Sequence, residues 1–194
     1  MHKPILFLGG MCGDLVLKLI DQTSVLGSRH ASNFADYKIK KARRLMKPFW
    51  KYSETQKDIY HNRFNKFPQT VYTITHDTDY CKKLDSVIQI YCSDSDKIHW
   101  LSKRFRQFNC HTIVERVCDQ QGFDLDNFEN QYTDLIVNWQ NSFVFENRFD
   151  IKNINSDRFI CDLTKHFSVE KTTWIEKIYK SWAKNQTFEF VDDK

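Results

Sequence analysis

Two stretches of the sequence carry residues whose types and spacing could do chemistry. Residues 4–16, PILFLGGMCGDLV, contain Gly9, Gly10 and Gly13, three of the five glycines in the chain. A glycine-rich turn between a strand and a helix presents backbone N–H groups to an anion, and the helix N-terminus adds partial positive charge. Further along, His76 offers a side chain that exchanges protons near neutral pH. The first stretch therefore predicts an anion site, and His76 is a candidate general base.

The elements around these residues favour a parallel sheet. Apolar residues at 5–8 precede the glycines, and apolar residues at 15, 16, 19 and 20 follow with helical spacing, which predicts strand, tight loop and helix. Residues 70–75 and 86–92 have the composition of two more strands, with a helical stretch between them. Strands separated in this way are expected to be parallel. His76 then lies at the carboxyl end of a strand, where open α/β sheets bind ligands.

The rest of the chain is predicted to be mainly helical. Helices are expected at residues 36–67, 98–108, 124–145, 156–166 and 169–185, with a short strand at 149–154. A chain of 194 residues has room for one sizeable core. We therefore predict a single α/β domain over residues 1–194, a three-layer sandwich in which helices cover a mostly parallel sheet of four or five strands.

Composition limits the classes of function. The formal net charge of +4 is too small to imply nucleic-acid binding by itself. The six cysteines form no Cys-x-x-Cys pair, so no zinc site is indicated and a reduced compartment is expected. The apolar run at the start is too short for a signal peptide or a membrane span. We expect a cytoplasmic protein without membrane contact, and the wealth of Lys, Asn, Ile and Phe suggests a virus or phage.

A basic segment begins at Lys38 and ends at Lys51, and it contains seven cations and no acidic residue. Basic residues interleaved with aromatic ones are typical of contact with nucleic acid or another polyanion. The alternative is a solvated helix whose Lys and Arg stems cover apolar surface while their charged heads stay in water. Both interpretations stay open.

In order and spacing, these features resemble the sulfotransferase-like branch of P-loop proteins, which transfer sulfuryl groups from the nucleotide donor PAPS. In that family the first strand leads into a loop of the type P-[KR]-S-G-[TS]-[TS], and Phe7 to Asp14 occupy that place here. The second strand of the family ends in Thr-His, as Thr75-His76 does here, and the third strand corresponds to the stretch from Val87 to Asp96. The resemblance covers most of the chain.

The resemblance implies a donor site and a base. The donor PAPS, or a similar phosphorylated nucleotide, would contact Gly9, Gly10, Met11, Cys12, Gly13, Asp14, Ser93, Ser102 and Arg104. His76 would be the catalytic base, and the acceptor substrate is not indicated. The sequence departs from the family pattern because the loop cation is replaced by Met11 or Cys12, and the hydroxyl residues after the loop glycine are replaced by Asp14 and Leu15.

These departures leave other interpretations open. The chain could be a non-catalytic viral or phage protein, structural or nucleic-acid-binding, on a degenerate P-loop-like scaffold. The glycines could serve close packing of strand on helix, and Asp14 could be a helix N-cap. His76 could be an ordinary residue at the end of a strand. Asp14, Asp94 and Asp96 could hold Mg²⁺, but no metal site is our expectation.

Overall fold

A four-stranded parallel sheet forms the centre of the molecule. The computed structural model describes residues 1–20, 52–66, 70–109 and 111–185. The strands are β1 His2–Leu6, β2 Val71–Thr75, β3 Ile88–Tyr91 and β4 Arg148–Asp150, in the spatial order β2-β1-β3-β4. The described helices are α1 Gly13–Ile20, α2 Glu54–Phe64, α3 Thr78–Cys81, α4 Ser95–Phe108, α5 His111–Gln121, α6 Phe128–Ser142, α7 Arg158–Phe167 and α8 Thr173–Lys184.

The strand order reverses direction between β1 and β3. The chain passes from β1 to β2 on one side and then crosses β1 to reach β3 on the other side. In the register, Ile5 of β1 lies beside Ile74 of β2 and Ile88 of β3, and all three side chains are buried. Strands covered on both faces are apolar along most of their length, as β1 and β3 are. In open α/β sheets, a reversal of this kind opens a crevice at the carboxyl ends of the strands.

Helices cover both faces of the sheet. On one face α1, α7 and α8 pack on each other and on the main core, which includes Ile5. Leu6 points to the opposite face, because successive residues of a strand alternate. There it packs with Cys81 of α3 and Val87, and Trp139 of α6 closes the cluster. The prediction of an α/β fold with a mostly parallel sheet of four or five strands is therefore confirmed, with four strands in the described residues.

Aspartates that follow strands start helices. Asp77 accepts a hydrogen bond from the N–H of Tyr80 and begins α3, and Asp94 accepts from the N–H groups of Asp96 and Lys97 and begins α4. A carboxylate at this position satisfies backbone donors that have no partner within the helix. Both aspartates thus have a structural role at the carboxyl edge of the sheet.

Two buried glutamines tie the end of α6 to β3. Gln140 donates from Nε2 to the carbonyl of Cys92 and accepts from its N–H, at 3.0 and 3.1 Å. Gln89 donates to the carbonyl of Phe143 at 2.7 Å and accepts from the N–H of Phe145 at 3.3 Å. Each amide side chain therefore pairs with backbone groups that would otherwise be buried without a partner, which costs about 1–3 kcal/mol per group.

The predicted elements differ from the observed ones mainly at their ends. The helices expected at 124–145, 156–166 and 169–185 appear as α6, α7 and α8, and the strand expected at 149–154 is the shorter β4. Of the helix expected at 36–67, residues 52–66 are described, and there the helix is α2, which begins only after its N-cap Ser53 and ends at Phe64; residues 36–51 and 67 lie outside the described residues. Helix α5 was not predicted from the sequence. Its buried residues are Val114 and Cys118, so its apolar stripe is too short to stand out in the sequence. Within the described ranges no helix combines the length and the apolar character needed to cross a membrane.

Candidate functional site at the carboxyl edge of the sheet

The glycine bend, residues 9–14, connects the carboxyl end of β1 to α1. Beyond β1 the N–H of Phe7 still donates to the carbonyl of Thr75 at 3.2 Å, and the N–H of Met11 closes a turn onto the carbonyl of Leu8. Gly10 has a φ of 83° and Cys12 a φ of 56°. The left-handed conformation is easy for Gly10 but strained for a residue with a side chain such as Cys12.

Aromatic rings pack directly on the glycines of the bend. A Cβ atom at Gly13 would lie 2.3 Å from the ring of Phe7, so any side chain there would force the ring or the backbone to shift. A Cβ at Gly10 would lie 3.0 Å from the ring of Phe105 in α4, and the Tyr132 hydroxyl of α6 donates to the carbonyl of Gly9 at 2.9 Å. Close packing therefore accounts for the need for glycine at these positions. This observation favours the close-packing interpretation over a glycine loop that is open to solvent.

Asp14 lies in the first turn of α1, one residue inside the helix, so the structure does not make it the N-cap. Burial raises the pKa of its carboxyl to about 7, and the positive charge of Arg104 acts in the opposite direction. Arg104 also lowers the pKa of the Cys12 thiol, although burial raises that pKa overall. The charge of Arg104 thus acts on both Cys12 and Asp14, and its guanidinium carbon lies 5.4 Å from the ring of Trp182 in α8.

His76 follows β2 and contacts the residue that precedes the bend. Its Nδ1–H donates to the carbonyl of Phe7 at 2.6 Å, and the two rings pack edge to face with 4.3 Å between centroids. This hydrogen bond selects the tautomer with the lone pair on Nε2. Burial lowers the pKa of His76, and the hydrogen bond to Phe7 opposes that shift only in part. At neutral pH the imidazole is therefore uncharged. Although packing against Phe7 shields the ring in part, the residue still exposes surface to solvent.

The two predicted serines lie in different environments. Ser93 is exposed at the carboxyl end of β3, where its hydroxyl donates to Asp150 at 2.6 Å and its N–H donates to the same carboxylate at 3.1 Å. Ser102 is fully buried, donates to the carbonyl of Ile98 at 3.1 Å and accepts from the hydroxyl of Thr133 at 3.0 Å. Ser102 therefore belongs to the interface of α4 with α6 and not to the open edge of the sheet.

The fold thus brings most of the predicted site residues together. The bend, His76 and Arg104 gather around the carboxyl end of β1, and Ser93 lies at the end of the neighbouring strand β3. Sequence reasoning missed Phe7 and Phe105 as the residues that cover the glycines. No local pattern could have indicated Phe105, because its contact with the bend depends on how α4 packs.

The remaining predictions concern metals and the basic segment. Among the residues that the structure describes, no three His, Cys, Asp or Glu side chains group in a way that could hold a metal ion. Asp94 is engaged as the cap of α4, so the Mg²⁺ alternative for Asp14, Asp94 and Asp96 has no support from this geometry. The segment from Lys38 to Lys51 lies outside the described residues, and its predicted contact with a polyanion stays a prediction.

Comparison of the chain with protein-family models, with curated proteins and with solved structures finds no match.

The contact between Phe7 and Gly13 yields a test of the packing. Gly13→Ala should destabilise the protein by about 1–3 kcal/mol, because the added methyl group overpacks against the Phe7 ring. In the double variant with Phe7→Leu the cost should be smaller than the sum of the two single costs, since the smaller side chain makes room. Urea denaturation measures all three variants.

Gly122→Ala is the matched control for this cycle. Gly122 has a φ of 70°, and a Cβ atom added there would meet nothing within 4 Å. Gly122→Ala should therefore lower the free energy of unfolding only through backbone strain, by about 1–2 kcal/mol. In a double variant with Phe7→Leu, the two losses of stability should simply add. If the losses of stability from Gly13→Ala and Phe7→Leu also add without any difference, the contact between the two residues would be refuted.

Asp14 provides a second test, through pH. Because its pKa is raised from 3.8 to about 7 in the folded state, the folded protein binds the proton more tightly than the unfolded chain does. Its contribution to stability is therefore fully present below pH 4 and is lost as the pH rises towards 7. The free energy of unfolding of Asp14→Asn relative to wild type should increase between pH 4 and pH 8. A difference between Asp14→Asn and wild type that does not change with pH would refute the buried carboxyl.

Proposed function

We propose that the chain binds a phosphorylated nucleotide donor of the PAPS type at the carboxyl edge of its sheet and that His76 is the base of a group transfer from it. The observation that carries this proposal is the hydrogen bond from His76 to the Phe7 carbonyl, which fixes the tautomer of an uncharged imidazole beside the bend. A base must combine geometry of this kind with a pKa near or below the working pH.

Arg104 supports the anion site. The bend lacks the loop cation of the P-loop pattern, but the positive charge of Arg104 acts on both Cys12 and Asp14 at the N-terminus of α1. A guanidinium next to the N-terminus of a helix favours a phosphate, and each charge-assisted hydrogen bond contributes roughly 1.5–3 kcal/mol. Protonation of Asp14 near pH 7 removes the negative charge that would compete for Arg104.

The positive charge at the bend suits the phosphate of the donor, but the residues present provide only some of the contacts expected for the rest of the donor. When bound, a donor of this type would supply an activated sulfuryl group, whose bond to the phosphate oxygen of the donor breaks as the acceptor oxygen bonds to sulfur, so that PAP is the leaving group. The role of His76 is to accept at Nε2 the proton of the acceptor hydroxyl as that oxygen attacks. Arg104 and the amides of the bend hold the negative charge. Ser102, which the family resemblance implies as a donor contact, is enclosed between α4 and α6, so that contact is missing from this arrangement.

A second candidate function rests on a different observation. The rings of Phe7 and Phe105 cover the glycines of the bend, and Met11 is fully buried. A corner filled by its own side chains is the arrangement of a scaffold that uses the bend for packing alone. This favours a non-catalytic binding protein whose contact with nucleic acid or a partner would lie elsewhere, for instance in the segment from Lys38 to Lys51.

Ligand titrations distinguish these two functions. If the donor site operates, PAP and PAPS should raise the melting temperature of the full chain, because a ligand of the native state stabilises it. Arg104→Met should abolish this increase, whereas Lys103→Met, the loss of an exposed neighbouring cation, should leave it unchanged.

The role of His76 is tested by a separate pair of variants. His76→Ala should lower sulfuryl transfer to a panel of hydroxyl acceptors by about 10²-fold or more, while binding of PAP is retained. His111→Ala, which replaces an exposed histidine on α5, should leave both quantities unchanged. An unchanged melting temperature with PAP, PAPS and ATP, together with salt-sensitive binding of a short oligonucleotide, would refute the enzyme and support the second candidate.

A further inference from the structure

A cavity of about 480 Å³ lies at the opposite end of the sheet from the glycine bend. It opens where the strands begin, between the sheet and the C-terminal end of α7. Its polar lining includes Lys3, Thr70, Tyr72, Asn147 and His166. Cavities of roughly 300–1,000 Å³ with apolar walls and a few convergent polar groups are typical of small-molecule sites.

Lys3 is the cation of this cavity. It is the second residue of β1 and is half-buried. Within the described part of the chain, Lys3 forms neither an ion pair nor a side-chain hydrogen bond. A cation beside a cavity without an acid partner gains from an anion that binds there, because the anion supplies the counter-charge.

His166 is the second polar side chain of this cavity, and its Nε2 can donate when that atom carries the ring proton. Its Nε2 atom is buried and has no hydrogen-bond partner among the described residues. Its ring is held between Phe149 and Phe167, with centroid distances of 5.1 and 4.9 Å. Burial lowers the pKa of His166, and the charge of Lys3 lowers it further. Two groups that would each gain from an anion are therefore adjacent.

Tyr72 adds a third donor. Its phenol lies on β2 beside Lys3 of β1, with which it is in register, and burial raises its pKa so that the hydroxyl keeps its proton. The ring contacts Phe167 edge to face at 5.8 Å, and no described residue accepts from the hydroxyl. Neutral donors of this kind strengthen the binding of an anion without adding charge.

We propose that this cavity binds a small organic oxyanion, a carboxylate or a phosphate monoester with an apolar body, through Lys3, Tyr72 and His166. Ile20, Ile88, Phe167 and Val169 supply an apolar wall for the body of the ligand. The acidic residue at the cavity is Glu170, and it is exposed at the rim, where solvent and salt screen its charge. Nothing in the proposed function at the glycine bend requires this second site.

The two sites are far enough apart to be tested separately. Each strand of five residues spans about 17 Å, and Lys3 lies at the start of β1 whereas the bend follows its end. A ligand in the cavity should therefore shift the backbone amide signals of Ser168, Val169 and Glu170 in a ¹⁵N NMR spectrum. The amide signals of Gly10 and Gly13 should stay in place, so a phosphate bound at the bend would be recognised.

The experiment titrates the full chain with phenyl phosphate, benzoate and inorganic phosphate. We expect saturable binding of phenyl phosphate or benzoate. It should be tighter than the binding of inorganic phosphate, because the phenyl ring fills the apolar part of the cavity. Whichever of the two aromatic probes binds more tightly identifies the head group as a phosphate or a carboxylate. Lys3→Met should weaken binding at least tenfold. Lys165→Met removes an exposed cation of α7 outside the cavity and should change the affinity less than twofold.

A variant of His166 keeps the test valid if Lys3→Met does not fold. His166→Gln retains a donor of similar reach but loses the ring contacts, and it should weaken binding several-fold. Equal weakening by Lys3→Met and Lys165→Met would reduce the effect to general electrostatic attraction and would overturn the proposal. The absence of saturable binding for all three probes, or shifts confined to the amides of the bend, would overturn it as well.

Discussion

The contacts of Phe7 with Gly13 and His76 are the constraint on which the candidate site depends. Its ring occupies the space above Gly13, its carbonyl accepts the Nδ1–H of His76, and its N–H continues the pairing of β1 with β2. One residue therefore sets the start of α1, the tautomer of the histidine and the distance between the two strand ends. A change that moves Phe7 must alter all three, which is why the bend and His76 act as one unit.

The same packing also restricts the chemistry at this edge. Phe105 covers Gly10 from the side of α4, and Arg104, the preceding residue of the same helix, brings a cation to Asp14. Helix α4 thus both closes the bend and supplies its positive charge. A phosphate can benefit from Arg104 only where the aromatic cover leaves the bend accessible, so the position of α4 decides between a ligand site and a packed corner.

The sequence predicted the sheet well because its signals are local. An apolar run before the glycines identified β1, and the strand-like composition of residues 70–75 and 86–92 identified β2 and β3. The glycines located the turn into α1. Other features depend on which helices and strands become neighbours, and the spacing of residues along the chain does not encode these contacts. They are the burial of Ser102, the packing of Phe105 on Gly10 and the hydrogen bonds of Ser93 to Asp150. Asp94 shows the same limit, since a carboxylate after a strand suits a metal or a helix cap equally well, and here it caps α4.

The most direct test of the central claim is the ¹⁵N signal of the His76 ring, recorded while PAP is added. We expect a neutral imidazole protonated at Nδ1 in the free protein, and we expect the signals of Nε2 and of the amides of the bend to shift together as PAP reaches saturation. A ring protonated at Nε2 in the free protein, or signals of His76 and the bend that stay unchanged at saturating PAP, would contradict this expectation.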